Sequence, residues 1–123
     1  MCPVYINRIA SIHAESRNEK PYFSAQEPDY KEMITNANLR RRMSRMIKMG
    51  VACGLECLKD IPSEKVDAII TATGLGCLAD TEKFMNALMD NREQMLNPTA
   101  FIQSTFNTLG AQLALLLKIH AYE

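Results

Sequence analysis

The chain has no excess of either charge, no long apolar run and few of the side chains that usually carry catalysis. Its 14 basic and 14 acidic residues leave a formal net charge of zero, so no electrostatic footprint for nucleic acid or an anionic membrane surface is expected. The longest apolar run, Leu113 to Leu117, is far below the roughly 20 residues of a membrane span. The N-terminus lacks the basic, apolar and small-residue order of a signal peptide. A cytoplasmic location is therefore expected. There is no internal repeat and no low-complexity tract. Only two histidines occur, His13 and His120, in unrelated stretches. Four cysteines, Cys2, Cys53, Cys57 and Cys77, do not suggest a disulfide framework in a reducing compartment. Cys53 and Cys57, four apart in a helical pattern, would share a face, but a metal site there needs two more ligands. They read as small, reduced, buried residues, and no metal or cofactor is expected.

What is present describes a globular chain. With 123 residues, 47% hydrophobic and 23% charged, it matches one domain, 1–123, with a core of its own. Val4 to His13 mixes apolar and β-branched residues with polar ones and predicts a first strand. Residues 14–35, broken by Pro21 and Pro28, read as an irregular connector. From Ala37 to Asp60, apolar or small residues recur at helical spacing, with Asn36 or Asn38 as cap and Pro62 beyond the end. Gly50 and Gly54 cost that helix about 1 kcal/mol each relative to alanine. Spaced by four, they would share a face and let a neighbouring element come close, as when a helix lies flat on a sheet.

Val66 to Thr73, short and nearly all apolar or β-branched, predicts a strand covered on both faces. Thr73-Gly74-Leu75-Gly76 turns the chain, and Asp80 is placed as cap of a helix through about Asp90. Asn97 to Asn107 reads as irregular, with Asn107 capping a last helix that carries Leu109, Leu113, Leu116, Leu117 and His120 on one face. Together these elements predict an α/β architecture, a short sheet packed with helices.

No catalytic set emerges from the residues. Gly74-Leu75-Gly76 lacks the third glycine of a dinucleotide fingerprint, Ala79 standing there, and no lysine completes a P-loop. A tight turn accounts for the glycines. Cys77, near a helix start, is a candidate thiol nucleophile, but no histidine is close in sequence. Ser104, Thr105 and Asn107 form no Gly-x-Ser-x-Gly elbow. The methionines at 33, 43, 46 and 49 suit adaptable core filling. The basic cluster Arg40, Arg41, Arg42, Arg45 and Lys48 reads first as a solvated helix face. It also crowds the start of the expected helix, where the dipole disfavours cations, so an acidic group within the fold or on a partner would compensate it.

Three stretches in order resemble the β-ketoacyl-acyl-carrier-protein synthase family, in its N-terminal part. Arg42 to Asp60 resembles the family helix that begins with basic residues and Met and ends in Leu-x-Asp. Ile70 to Leu78 is similar to the family's strand and Gly-x-Gly turn. Asn97-Pro98 through Phe101 to Ala111 looks like its Pro-Phe segment and Asn-capped helix. The resemblance covers about residues 39–120 and implies a partial thiolase-like α/β layered fold. It places Leu96 where the family has a residue facing the acyl pocket. The short interval before the basic helix is closest to ketosynthase-like proteins of aryl polyene or flexirubin-type pathways.

The family's nucleophilic Cys follows the next strand, and its two catalytic His lie further on. No cysteine or histidine of this chain matches them. The resemblance thus implies a domain from fatty-acid or polyketide-type biosynthesis that is inactive alone. The alternative is a non-catalytic subunit that docks an acyl carrier protein through Arg40 to Lys48, or pairs with a full synthase. A free-standing thiol enzyme using Cys77 is a third reading. Half of such a fold would leave sheet edges and helix faces open, which predicts a homo-oligomer.

Overall fold

The computed structural model describes residues 3–14 and 25–120. Among these described residues the regular elements are six helices: α1 (Tyr30–Met33), α2 (Ala37–Arg42), α3 (Arg45–Leu58), α4 (Leu78–Asp90), α5 (Pro98–Ser104) and α6 (Thr108–Leu117). A single 3-10 turn, Ser63–Lys65, follows α3.

The expected α/β layering is not what forms. Among the described residues there is no sheet: Ala14 and Ala25 form one isolated antiparallel bridge, and Ala68 holds a single bridge position. Neither Val4 to His13 nor Val66 to Thr73 becomes a strand. Both have β-type composition, but a strand exists only where a neighbour accepts its backbone hydrogen bonds. Composition gives an extended backbone; the partner has to come from elsewhere in the chain. Val66–Thr73 instead runs over α6, where a Cβ on Gly110 would lie 3.5 Å from Ile69 Cγ2 and 3.6 Å from Thr71 Cγ2.

The helical expectation between Ala37 and Asp60 holds with one correction. Asn36 is the cap, its Oδ1 accepting from the backbone N–H groups of Asn38 and Leu39, each at 3.1 Å. The helix then breaks. Met43 turns extended and drops into the core, and Ser44 takes the N-cap position of α3 with extended backbone. The long helix is therefore two helices, α2 and α3.

The core is built by α3 and what packs on it. Ile34, Met43, Ile47, Val51, Cys77 and Leu113 form its buried cluster, flanked by Leu39, Leu55, Ile69, Leu109 and Leu116. Ile34, Ile47 and Val51 are fully buried, each contributing about 1.5–3 kcal/mol. Ile47 and Val51, four apart, set the inner face of α3. Gly50 and Gly54 do admit a close neighbour, but it is helix α6 rather than a sheet. A Cβ on Gly50 would collide with Leu109 Cδ1, and one on Gly54 would lie 2.5 and 2.6 Å from the two δ-carbons of Leu113.

The second half pairs α4 with α5. Phe84 and Phe101 meet with ring centroids 5.3 Å apart and planes tilted by 53°, a favoured aromatic arrangement. Asp80 is not the cap of α4: Cys77 is, and Asp80 lies buried in the first turn. The stretch from Asn97 is not irregular either. Asn97 Oδ1 accepts from Thr99 N at 2.9 Å and Pro98 fills the first turn, starting α5, as proline's fixed φ allows. Asn107 holds the N-cap position of α6 without a side-chain capping bond. Lys118, left-handed at φ 53°, ends that helix, so His120 lies beyond it and exposed.

Candidate functional site

The basic cluster is divided by the break between α2 and α3. Arg40, Arg41 and Arg42 occupy the last turn of α2, where the helix dipole favours cations. The expected dipole conflict does not arise for them. Arg40 Nη1 donates to the carbonyl of Ile34, which ties α2 to the buried residue after α1. Arg41 Nη2 donates to Asn38 Oδ1 at 2.8 Å. Arg45 opens α3 and grips Glu27, donating from Nε to Oε1 at 2.5 Å, with Nη2 also at 2.5 Å from that oxygen. Among the described residues, the side chains of Arg42 and Lys48 have neither an ion-pair nor a hydrogen-bond partner.

Glu27 is thus the acidic group that the basic cluster required, and it comes from within the fold. It also accepts from the Tyr30 hydroxyl at 2.6 Å. The hydrogen bonds from Tyr30 and Arg45 hold its carboxyl below the usual carboxylate range. The Tyr30 phenol is pushed well up, first by burial and then by the Glu27 carboxylate. Both residues fall in the stretch read as an irregular connector. The local signal was Pro28-Asp29 ahead of Tyr30: Asp29 Oδ1 accepts from Lys31 N at 2.8 Å and caps α1.

The structure brings Arg45 together with the Gly-x-Gly turn. Ser44, Arg45, Met46 and Met49 face Thr73 to Ala79 across a cleft of about 640 Å³. Gly76 adopts φ +64°, which suits a residue without Cβ, and its N–H bonds Thr73 Oγ1 at 3.0 Å. Gly74 has no left-handed conformation, so the turn explains only the second glycine. Met46, Met49, Leu75 and Leu78 make the walls largely apolar. Cys77 lines this cleft but is buried, and burial with the nearby Asp80 carboxylate pushes its thiol up. A raised thiol supplies little thiolate at neutral pH, and no histidine lines the cleft.

A second cleft, about 410 Å³, lies between Ala10–Ile12, Gln26–Pro28, Met33 and the α3 residues Ala52, Cys53 and Glu56. Burial, then the neighbouring Cys57, pushes the Cys53 thiol up as well. Leu96, placed by resemblance at an acyl pocket, is half-buried on the connector between α4 and α5. It lines neither cleft. Cys2 lies outside the described residues. Among the described residues no three His, Cys, Asp or Glu side chains come together as a metal site would need, and no helix is long and apolar enough to cross a membrane.

Comparison with known proteins bears on the class of this chain. Residues 13–121 match the family model described as "Beta-ketoacyl synthase, N-terminal domain". The match spans most of the 123 residues, and the chain belongs to that family. No match was found among curated proteins or among solved structures.

Proposed function

We propose that this chain serves fatty-acid or polyketide-type biosynthesis, in the cytoplasm, as a ketosynthase-like N-terminal domain that does not itself carry out the condensation. The observation that carries this reading is the state of its thiols. A decarboxylative Claisen condensation needs a thiolate to hold the acyl group as a thioester and donors for the enolate oxygen formed from a malonyl thioester. Burial pushes the Cys53 and Cys77 thiols up, which leaves little thiolate at neutral pH, and no histidine lines either cleft that contains them. The short interval before the basic helix favours a place near the aryl polyene or flexirubin-type branch of the family.

The test is incubation of the purified chain with an acyl thioester and a malonyl thioester. No acyl-protein adduct and no release of carbon dioxide are expected. Turnover by the chain alone would overturn the proposal.

A second reading, docking of an acidic acyl carrier protein, is favoured by one observation: Arg41 and Arg42 are exposed at the end of α2. Arg42 is free of partners among the described residues, whereas Arg45 is engaged by Glu27. Loss of carrier binding in the Arg41→Glu, Arg42→Glu double variant is the expected result. Unchanged binding would remove this reading while leaving the first intact.

A further inference from the structure

We propose that the cleft between the start of α3 and the Gly74–Gly76 turn binds a small carboxylate with an apolar body, its head held by the first turns of α3 and α4. Both helices open onto this one space. Ser44, Arg45 and Met46, the cap and first two residues of α3, line it. So do Cys77, Leu78 and Ala79, the corresponding residues of α4. Neither cap side chain bonds its own helix. The first backbone bond of α3 runs from Lys48 N–H to the Ser44 carbonyl, and those of α4 run from Asp80 and Thr81 to the Cys77 carbonyl. The N–H groups of Arg45, Met46, Leu78 and Ala79 are thus left without a backbone acceptor among the described residues, as the first turn of a helix leaves them. Such groups, together with the helix dipole, bind anions.

Ser44 gives an independent sign of a ligand. Its Oγ is shut off from solvent and has no hydrogen-bond partner among the described residues, a costly state for a hydroxyl. An oxyanion in the cleft would be the acceptor that this hydroxyl lacks. The space is unfilled: a Cβ on Gly74 or Gly76 would meet nothing within 4 Å, and about 640 Å³ falls in the range of small-molecule sites. No acidic side chain lines the cleft. Asp80, in the first turn of α4, is buried and lies outside that lining.

Charge and wall chemistry define the ligand class. Each helix start presents roughly half an elementary positive charge, so the pair matches one negative charge. The Arg45 guanidinium is already matched by Glu27, which favours a monoanion over a phosphate dianion. Met46, Met49, Leu75 and Leu78 make the walls largely apolar, and Leu75 and Leu78 are exposed, at 79% and 57%. A carboxylate on a small hydrocarbon or aromatic body covers these side chains while its head reaches the helix starts. Such binding uses no thiol, so its failure would leave the inactivity of the domain in condensation untouched.

The test is isothermal titration calorimetry of the full chain at low ionic strength, with benzoate and its neutral isostere benzamide as probes. Benzoate should bind at least about tenfold more tightly than benzamide. Leu78→Ala and Leu78→Pro both remove the leucine side chain, but only proline, tolerated at the first helical position, also removes the N–H. Benzoate should bind the proline variant at least about threefold more weakly than the alanine variant. Ser44→Asp places a carboxylate of the chain's own at a cap position that favours it. Benzoate affinity should then fall by at least about tenfold, with helix content by circular dichroism retained. No measurable benzoate binding, equal affinity for benzamide, or indifference to either the proline or the Ser44→Asp substitution would each overturn the proposal.

Discussion

Substituting Gly54 by alanine sets helix propensity directly against packing. Propensity alone favours Gly54→Ala by about 1 kcal/mol. Against this, the new methyl would lie 2.5 and 2.6 Å from the δ-carbons of Leu113 and 3.1 Å from its Cγ. Leu113 is 5% exposed in the core, and both its methyls face the intruding carbon, so no simple rotation clears them. Overpacking of this kind typically costs 1–3 kcal/mol, plus the part that has to cancel the propensity gain. A net destabilisation of about 1–2 kcal/mol is expected.

Gly50→Ala supplies the contrast. There every obstacle belongs to the half-buried Leu109 side chain, the foremost being one terminal methyl, so the neighbour can move and the net change should be near zero. Urea denaturation followed by circular dichroism measures both. Leu113→Ala alone should cost about 2–5 kcal/mol. Combined with Gly54→Ala it should cost less than the sum by at least about 1 kcal/mol, because the methyl enters the space that leucine vacates. A stabilised Gly54→Ala chain, or strict additivity in the double variant, would refute the close approach of α6 to α3.

Other perturbations probe the caps, the acid–base pair and the thiols. Lys118→Gly should raise stability by about 1 kcal/mol, since it relieves a left-handed backbone at φ 53° that disfavours a Cβ; an unchanged thermal midpoint would contradict this. Asn36→Ala should cost about 1 kcal/mol through two lost capping bonds, read from the same denaturation curves. The lowered carboxyl of Glu27 contributes stability above the ordinary carboxylate range, and that contribution is lost as pH falls through its depressed value. The unaltered chain should therefore exceed Glu27→Gln in thermal midpoint near neutral pH, and the two should converge on acidification; a gap that persists in acid would argue against the ion pair. Cys77 should react with iodoacetamide more slowly than a model thiol at neutral pH, with its rate rising only at higher pH because burial raises the thiol.

Local patterns in the sequence found α3, α4 and α6, whereas α1 and α5 lay in stretches read as irregular and non-local pairing hid the rest. The spacing of Ile47, Val51, Gly50 and Gly54 identified α3 and its crowded face because a helix declares its neighbours within four residues. A cap at Asn36 or Asn38 was legible for the same reason, and Asn36 is the one that serves. Val66–Thr73 was misread as a strand because β-branched composition records an extended backbone, while a ladder depends on a partner distant in sequence. The restart at Ser44 left no periodic signature, since apolar residues continue at helical spacing through it.

The candidate site was legible in part. Arg40 to Lys48 stood out as a basic run, but its compensation by Glu27, 18 positions before Arg45, could not be read from spacing. The convergence of Arg45 with the Gly74–Gly76 turn was equally non-local. Leu96, carried over from the family pattern, rests on a connector away from both clefts.

The most direct measurement is the intact mass of the purified chain after incubation with an acyl thioester at neutral pH. The account predicts an unchanged mass, because the raised Cys53 and Cys77 thiols supply little thiolate to accept the acyl group. A mass increased by one acyl group, mapped to any of the four cysteines, would contradict it.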